Sequence, residues 1–184
     1  MASGREELNL SPADQLDVYF QDEGTFGRIC DAVPCWAPKG IRPNIPSQRI
    51  RQYCYVYAAV CPQTGDLFSL IMSYSNKDCM KIFLEEFALY RGGKPTLMIM
   101  DQATWHKNLA DTPASILIKY QPQYSPELNP VEQLWKYMRT TFMHNHFWNS
   151  LDKLQEYLCK ALSDLSQENK TISSFSLFNW MVYE

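Results

Sequence analysis

Long apolar runs, histidine and Cys-x-x-Cys pairs are what this 184-residue chain has least of. No stretch of about 18 apolar residues occurs, so nothing in the sequence reads as a membrane-spanning helix. The opening residues, MASGREELNL, hold no apolar core and carry acids, which excludes a secretory signal there. Three histidines and no Cys-x-x-Cys spacing argue against a structural zinc site. Six cysteines are present (Cys30, Cys35, Cys54, Cys61, Cys79 and Cys159). Without an export signal they read as free thiols in a reducing compartment rather than as disulfide pairs. Net basicity is missing too: 17 Lys and Arg stand against 20 Asp and Glu, a formal charge of −3. That excludes a protein that coats nucleic acid by bulk electrostatics, though not one with a local basic face. Internal repeats and low-complexity segments are absent.

What is present describes an ordinary globular domain, 46% hydrophobic, 14% aromatic and 20% charged. A chain of this length builds a core without staples. Its charge is uneven. Residues 1–23 carry Arg5 against six acids, a net −5, and residues 24–51 carry Arg28, Lys39, Arg42, Arg49 and Arg51 against Asp31, a net +4. The second stretch also holds Pro34, Pro38, Pro43, Pro46, Gly24, Gly27 and Gly40, a composition that favours an extended connection over a helix. Its basic residues read equally as a solvated loop or as a face for phosphate.

The periodicities predict elements in a definite order. Leu16, Val18 and Phe20 alternate as a strand that leads into Asp22. Residues 50–60 form a second strand, a turn over 62–66 follows, and LFSLIMS completes a hairpin. Ser75 opens a helix with Asp78 as its capping partner, Met80, Phe83, Leu84 and Phe87 share one face, and Gly92 and Gly93 end it. TLMIM (96–100) is uniformly apolar, as a strand buried on both faces should be, and it stops at Asp101. SILIKY (115–120) is a short strand. A proline-rich loop from Pro122 to Pro130 leads into a helix with Val131, Leu134, Trp135 and Met138 on one face. Another helix follows Ser150 with Leu151, Leu154, Leu158, Ala161 and Leu165 as its stripe. The aromatic tail from residue 173 docks on the body. Residues 1–15 read as an N-terminal extension and 16–184 as one α/β domain, a mixed sheet with helices packed on it.

Two strands thus end in a carboxylate, Asp22 and Asp101, and sites in open α/β sheets gather at strand ends. Taken singly, each acid also fits a turn or cap. Glu132 carries the same double meaning. Asn129-Pro130-Val131-Glu132 is a well-formed helix start, with Asn as cap, Pro at the first position and Glu returning a capping bond. Yet Glu132 lies off the apolar stripe, on the first turn, where it also points towards a shared site. The five tryptophans (Trp36, Trp105, Trp135, Trp148 and Trp180) read as core. His144 and His146 fall on a strand face or in the loop after the helix.

At these residues the chain resembles a family. Phe20-Gln21-Asp22-Glu23-Gly24-Thr25-Phe26-Gly27, Leu97-Met98-Ile99-Met100-Asp101-Gln102-Ala103-Thr104-Trp105-His106-Lys107-Asn108 and Tyr124-Ser125-Pro126-Glu127-Leu128-Asn129-Pro130-Val131-Glu132-Gln133-Leu134-Trp135 are similar, in order, to the three acid motifs of Tc/mariner superfamily transposases, the bacterial insertion-sequence branch above all. The resemblance spans roughly residues 16 to 180. It departs in one respect: 30 residues separate Asp101 from Glu132, fewer than the family usually has, with the shortening in the 108–116 connection.

The resemblance implies an RNase H-like fold, a three-strand meander plus two further strands flanked by helices. It implies a DDE triad of Asp22, Asp101 and Glu132 acting as polynucleotidyl transferase through two Mg²⁺ ions, with Mn²⁺ as substitute. Hard oxygen donors suit those ions. Asp22 would bridge both, with Asp101 and Glu132 holding one each. Glu23, His106 and Asn129 fall into a supporting layer, Glu23 facing away from Asp22 along the strand. Glu127 is the nearest rival for the third acid. Arg42, Arg49, Arg51, Lys136 and Arg139 are candidate DNA-phosphate contacts, the last two on the Glu132 helix face. DNA, both transposon ends and target, is the implied partner. So are a second copy of the chain and a separately encoded N-terminal DNA-binding protein, because residues 1–15 leave no room for the usual helix-turn-helix reader. The implied location is the bacterial cytoplasm, at the nucleoid. Two alternatives stand beside this reading: an inactive or domesticated RNase H-like module that binds DNA or protein, and a different RNase H-like nuclease.

Overall fold

The computed structural model describes residues 16–30, 36–44, 47–107, 109, 111–144 and 146–181. The N-terminal extension over 1–15, Cys35, Asn108 of the second acid motif and the last three tail residues lie outside the described residues.

Five strands make one mixed sheet. They are β1 (Asp17–Cys30), β2 (Gln48–Cys61), β3 (Asp66–Met72), β4 (Thr96–Met100) and β5 (Ile116–Tyr120), in spatial order β3-β2-β1-β4-β5. The first three form the antiparallel meander, while β4 runs parallel to β1 and β5 parallel to β4. For β4 to lie parallel beside β1, the chain must cross over from β3 at the sheet edge, and α1 (Lys77–Tyr90) lies in that connection to β4. Three helices follow: α2 (Val131–Thr141), α3 (Leu151–Leu165) and α4 (Asn169–Ser176).

The two faces of the sheet carry two cores. On one, Met80, Phe83, Leu84 and Phe87 of α1 pack on Tyr19, Tyr57, Ala59, Met98 and Met100. On the other, α2, α3 and α4 cover Phe20, Phe26, Cys54, Val56, Ala58 and Val60. Covered on both sides, β4 is apolar from Leu97 to Met100, while the buried hydroxyl of Thr96 donates to the Lys94 carbonyl. Each fully buried Leu, Phe or Met contributes roughly 1.5–3 kcal/mol, so helical stripes of four or five such residues suffice to hold each layer.

Several boundaries differ from the sequence reading. The first strand does not stop at Asp22 but runs eight residues beyond it, because Gly24 to Cys30 pair with residues 48 to 56 of β2 as a ribbon extending past the rest of the sheet. A bulge between Gly27 and Ile29 turns Arg28 out of that ladder. Its guanidinium donates to the carbonyls of Trp148 and Asn149 and to Gln52, so one charge of the basic stretch is committed to structure. α1 is capped by Asn76, not Ser75: the Asn76 side chain accepts from the Cys79 amide at 2.9 Å. Asn reaches the third amide as well as Ser does, and the helix simply starts one residue later. Gly92 and Gly93 end α1 as expected, both with positive φ, and the Gly93 amide donates back to Ala88. The tail holds a further helix, α4, buried through Ile172 and Ser176. Of the five tryptophans, Trp36 is fully exposed and Trp180 about half exposed, so only part of that set is core. Trp36 lies in the β1–β2 connection, whose described residues hold no helix. His144 and His146 fall in the loop after α2, where the His146 ring stacks on Trp148.

Candidate active site

Asp22 and Asp101 follow paired segments of neighbouring strands and line one cavity. β1 and β4 pair from Asp17↔Thr96 to Phe20↔Ile99. The ladder stops there, two residues before Asp22 on β1 and two before Asp101, which follows the end of β4. Asp22 pairs with Ala58 across β2, which turns its side chain to the α2 face. The third acid comes by another route. After β5, the Gln121 amide donates to the Met100 carbonyl, and Gln102 donates to the Gln121 carbonyl at 2.8 Å. The proline-rich loop is thereby laid beside Asp101. Asn129 then fixes the start of α2: its Nδ2 donates to the Gln21 carbonyl of β1 and its Oδ1 accepts from the Val131 amide, both at 3.1 Å. Asn129 is therefore the cap the sequence suggested, although regular helix begins at Val131. Glu132, on the first turn, makes no capping bond among the described residues. Its carboxylate lines a cavity of about 340 Å³ together with Asp22, Asp101, Gln121, Tyr124 and Asn129. Glu127, in a short 3-10 turn, is not part of that lining.

Behind the cavity lies a hydrogen-bonded chain. Glu23 faces away from Asp22, on the α1 side of the sheet, as alternation requires. There its Oε1 meets Nε2 of His106 at 2.9 Å. The other imidazole nitrogen, Nδ1, lies 2.6 Å from Oδ1 of Asp101. Asp101 also accepts the Ala103 amide, closing a turn. His106 is fully buried and Asp101 is about half exposed. Burial opposes a charge on the imidazole, but bonds to Asp101 and Glu23 outweigh it and raise the His106 pKa to about 10. Both nitrogens thus act as donors. The same bond from His106 holds the Asp101 carboxyl below the usual range.

Asp22 is tuned the other way. Burial pushes its carboxyl up to about 7, the indole of Trp135 pulls against that, and the charges of Glu23 and Glu132 add to the rise. Its Oδ2 accepts the Nε1–H of Trp135 at 2.9 Å. The sequence reading put Trp135 in the core, and buried it is. Its role as donor to an acid was missed, and the only available signal was its position three residues after Glu132, on the same helix.

Residues 17–155 match the family described as DDE superfamily endonuclease. The chain belongs to that family. Among relatives of this DDE-superfamily domain, an uncharacterised protein y4pE/y4sA of Sinorhizobium fredii (strain NBRC 101917 / NGR234) is 32% identical over 130 residues, covering 70% of this chain and 96% of the relative. An insertion element IS630 uncharacterised 39 kDa protein of Shigella sonnei is 28% identical over 170 residues, covering 86% of this chain and 49% of the relative. Among solved structures, the Mos1 strand transfer complex superimposes with a TM-score of 0.61 at 13% identity, over 88% of this chain and 55% of that one. The Mos1 mariner paired-end complex with Mn gives 0.61 at 12% identity, over 86% and 53%. The fold is therefore the RNase H-like one, a mixed five-stranded sheet flanked by four helices. The chain spans about half the length of the IS630 protein and of the Mos1 chains.

The donor set of this DDE-superfamily site suits a hard divalent cation. The three acids offer only oxygen, and a cation would offset both the burial that raises Asp22 and the smaller repulsion from Glu23 and Glu132. Among the described residues no three acid, His or Cys side chains close around one point. The cavity is an open cleft rather than a cage, which fits Mg²⁺: it keeps several waters and takes one or two carboxylates plus a substrate phosphate. Gln121 is part of one wall, and its Nε2, buried away from the cleft, has no partner among the described residues. The basic candidates lie outside the cavity. Arg49 and Arg51 are exposed on one side of the β1–β2 ribbon, Arg42 is exposed in the connection, and Lys136 and Arg139 are exposed on α2. The Arg139 guanidinium sits over the Phe26 ring at 5.5 Å. No helix among the described residues is long and apolar enough to cross a membrane.

Proposed function

We propose that this domain cuts DNA phosphodiester bonds and transfers the freed 3′-hydroxyl ends during movement of an insertion sequence, with Asp22, Asp101 and Glu132 as its catalytic carboxylates. The observation that carries the reading is that three acids from three distant segments line one cavity. Mg²⁺, or Mn²⁺ in its place, two ions per site, would be held by these carboxylates and would supply activation of the attacking hydroxyl and stabilisation of the leaving oxygen.

The chain's own residues do the rest. Asp101 is held by His106 and the Ala103 amide, so its carboxylate does not reorient when substrate arrives. Glu23 in turn holds His106. Asn129 ties the helix bearing Glu132 to the strand bearing Asp22, so these two acids move as one unit. Arg42, Arg49, Arg51, Lys136 and Arg139 take the flanking phosphates, contacts that position the duplex without reading it. Recognition of the transposon ends then falls to a helix-turn-helix module, on the same polypeptide or on a separately encoded partner, and two copies of the domain serve the two ends.

The test is nicking of supercoiled plasmid with Mg²⁺ or Mn²⁺. Wild-type protein should nick, and Asp22→Ala, Asp101→Ala and Glu132→Ala should each fall to background while keeping the wild-type circular dichroism spectrum. Undiminished nicking by any one of them removes that residue from the triad.

A further inference from the structure

Trp135 sits in the apolar stripe of α2, and packing alone accounts for its burial. Its orientation is set by a particular slot on β1. The indole plane lies against the backbone of β1 at Gly24, where a methyl group would come within 2.8 Å of its Cδ2. The Phe26 ring meets it edge-on, with centroids 5.9 Å apart. Phe20, Asp22, Gly24 and Phe26 share the α2 face of β1, so the missing Cβ at Gly24 opens the slot that admits the ring. Held there, the indole aims Nε1–H at Oδ2 of Asp22, 2.9 Å away.

We propose that Trp135 is the positioning residue of Asp22, its N–H fixing one carboxylate oxygen so that the other is presented to the cavity; this rests on the triad assigned above. An aspartate is loose about its last torsion, and a site acid must be held to a fraction of an ångström. The Glu23 amide gives the Asp22 carboxylate one further bond, and the indole supplies the side-chain one. Indole suits the task. It donates without accepting, so it neither ionises nor competes for a cation. A bond from a neutral donor to a carboxylate is also stronger than one between neutral groups. Because Trp135 and Glu132 are three residues apart on α2, one helix carries an acid of the cavity and the donor that orients another.

The experiment reads the indole directly. In a ¹H–¹⁵N spectrum of the apo-protein, Trp135→Phe deletes one indole signal and so assigns it. Titrating the wild type with Mg²⁺ should shift that signal, and in Asp22→Asn the shift should vanish. Trp135→Phe keeps an aromatic ring in the slot and lacks the donor. It should need about ten- to a hundredfold more Mg²⁺ for half-maximal nicking, the cost typical of losing a partner behind a metal ligand, with KM for DNA unchanged. Gly24→Ala, which closes the slot, should do the same. If Trp135→Phe fails to fold, benzothienylalanine at position 135 keeps the ring shape and removes only the N–H. An unmoved indole signal at saturating Mg²⁺, or an unchanged Mg²⁺ requirement in the donor-less variants while Asp22→Ala is inactive, overturns the positioning role and leaves the triad intact. An Asp22→Ala protein as active as the wild type overturns the triad and this role together.

Discussion

His106 joins Glu23 to Asp101 through the plane of the sheet, taking a carboxylate on each ring nitrogen, 2.9 Å on one side and 2.6 Å on the other. A residue facing away from the cavity thereby acts on one that lines it. His106→Phe keeps the bulk and removes both donors. Glu23 is then left with only the Gln21 amide, and an uncompensated buried charge typically costs about 3–5 kcal/mol. Adding Glu23→Gln removes that charge, so the double variant should be more stable than His106→Phe alone. Denaturant unfolding checks this, and simply additive losses would falsify the coupling.

Stability should also follow pH in two windows. Asp22 is raised from 3.8 to about 7, so the folded state keeps a proton that the unfolded chain loses. Its contribution is full below pH 4 and declines as pH rises to about 7, by on the order of 4 kcal/mol. Asp22→Asn should therefore melt higher than the wild type at pH 8 without divalent ion, and lose that advantage near pH 4. His106 is raised from 6.5 to about 10. Its contribution is full below pH 6.5 and disappears as pH climbs through 10, a decline that His106→Phe should flatten. Identical melting profiles for wild type and variants across both windows would contradict the assignments.

With Asp22 as a Mg²⁺ ligand, as proposed, the ion would compete there with a proton. Calorimetry at pH 6.5 in buffers of different ionisation enthalpy should detect proton release on Mg²⁺ binding, and the apparent affinity should rise between pH 6 and 8. In Asp22→Asn both the release and the pH dependence should be lost. A pH-independent affinity in the wild type counts against Asp22 as a ligand.

Asn129 satisfies two buried backbone groups at once, the Gln21 carbonyl and the Val131 amide. Losing a cap costs about 1 kcal/mol, and an orphaned buried partner a further 1–3 kcal/mol or so. Asn129→Ala should lower the melting temperature by roughly 4–12 °C for a domain of this size. Asn129→Asp keeps the cap and should fall in between. Equal melting of all three proteins would show that the tie carries no energy.

Arg49 and Arg51 project from one side of an exposed ribbon. Each phosphate contact removed should lower the slope of log K against log salt by about 1. Arg49→Ala and Arg51→Ala should weaken binding to unrelated duplexes alike. An unchanged slope in fluorescence anisotropy titrations takes these residues off the DNA path.

The fold was legible where a pattern recurs within one element. The stripes of α1, α2 and α3 and the apolar run Leu97 to Met100 of β4 all occupy the positions their periods imply. The candidate acids were legible because each lies at a marked place, beside a strand or on a first turn. What escaped depended on contacts between distant segments. The extension of β1 past Asp22 is enforced by pairing with β2, which Gly24 and Gly27 disguise as a turn. Arg28 reads as a free charge until the Trp148 carbonyl, 120 residues away, comes to meet it. Trp135 reads as core because it is core, and nothing local tells that its one polar atom has an acid within reach.

The short interval between Asp101 and Glu132 also takes on a different meaning. Asp22 and Asp101 each follow a segment paired in the β1–β4 ladder, so counting along the chain does not set their placement. After its excursion through β5 the backbone is clipped back beside Asp101 by the bond from the Gln121 amide to the Met100 carbonyl. However long the detour between those two points, Glu132 leaves it from the same place. Residues gained or lost between 107 and 115 should therefore be silent in the cleft. One residue inserted between Asp17 and Asp22 would turn the first acid to the opposite face of the sheet.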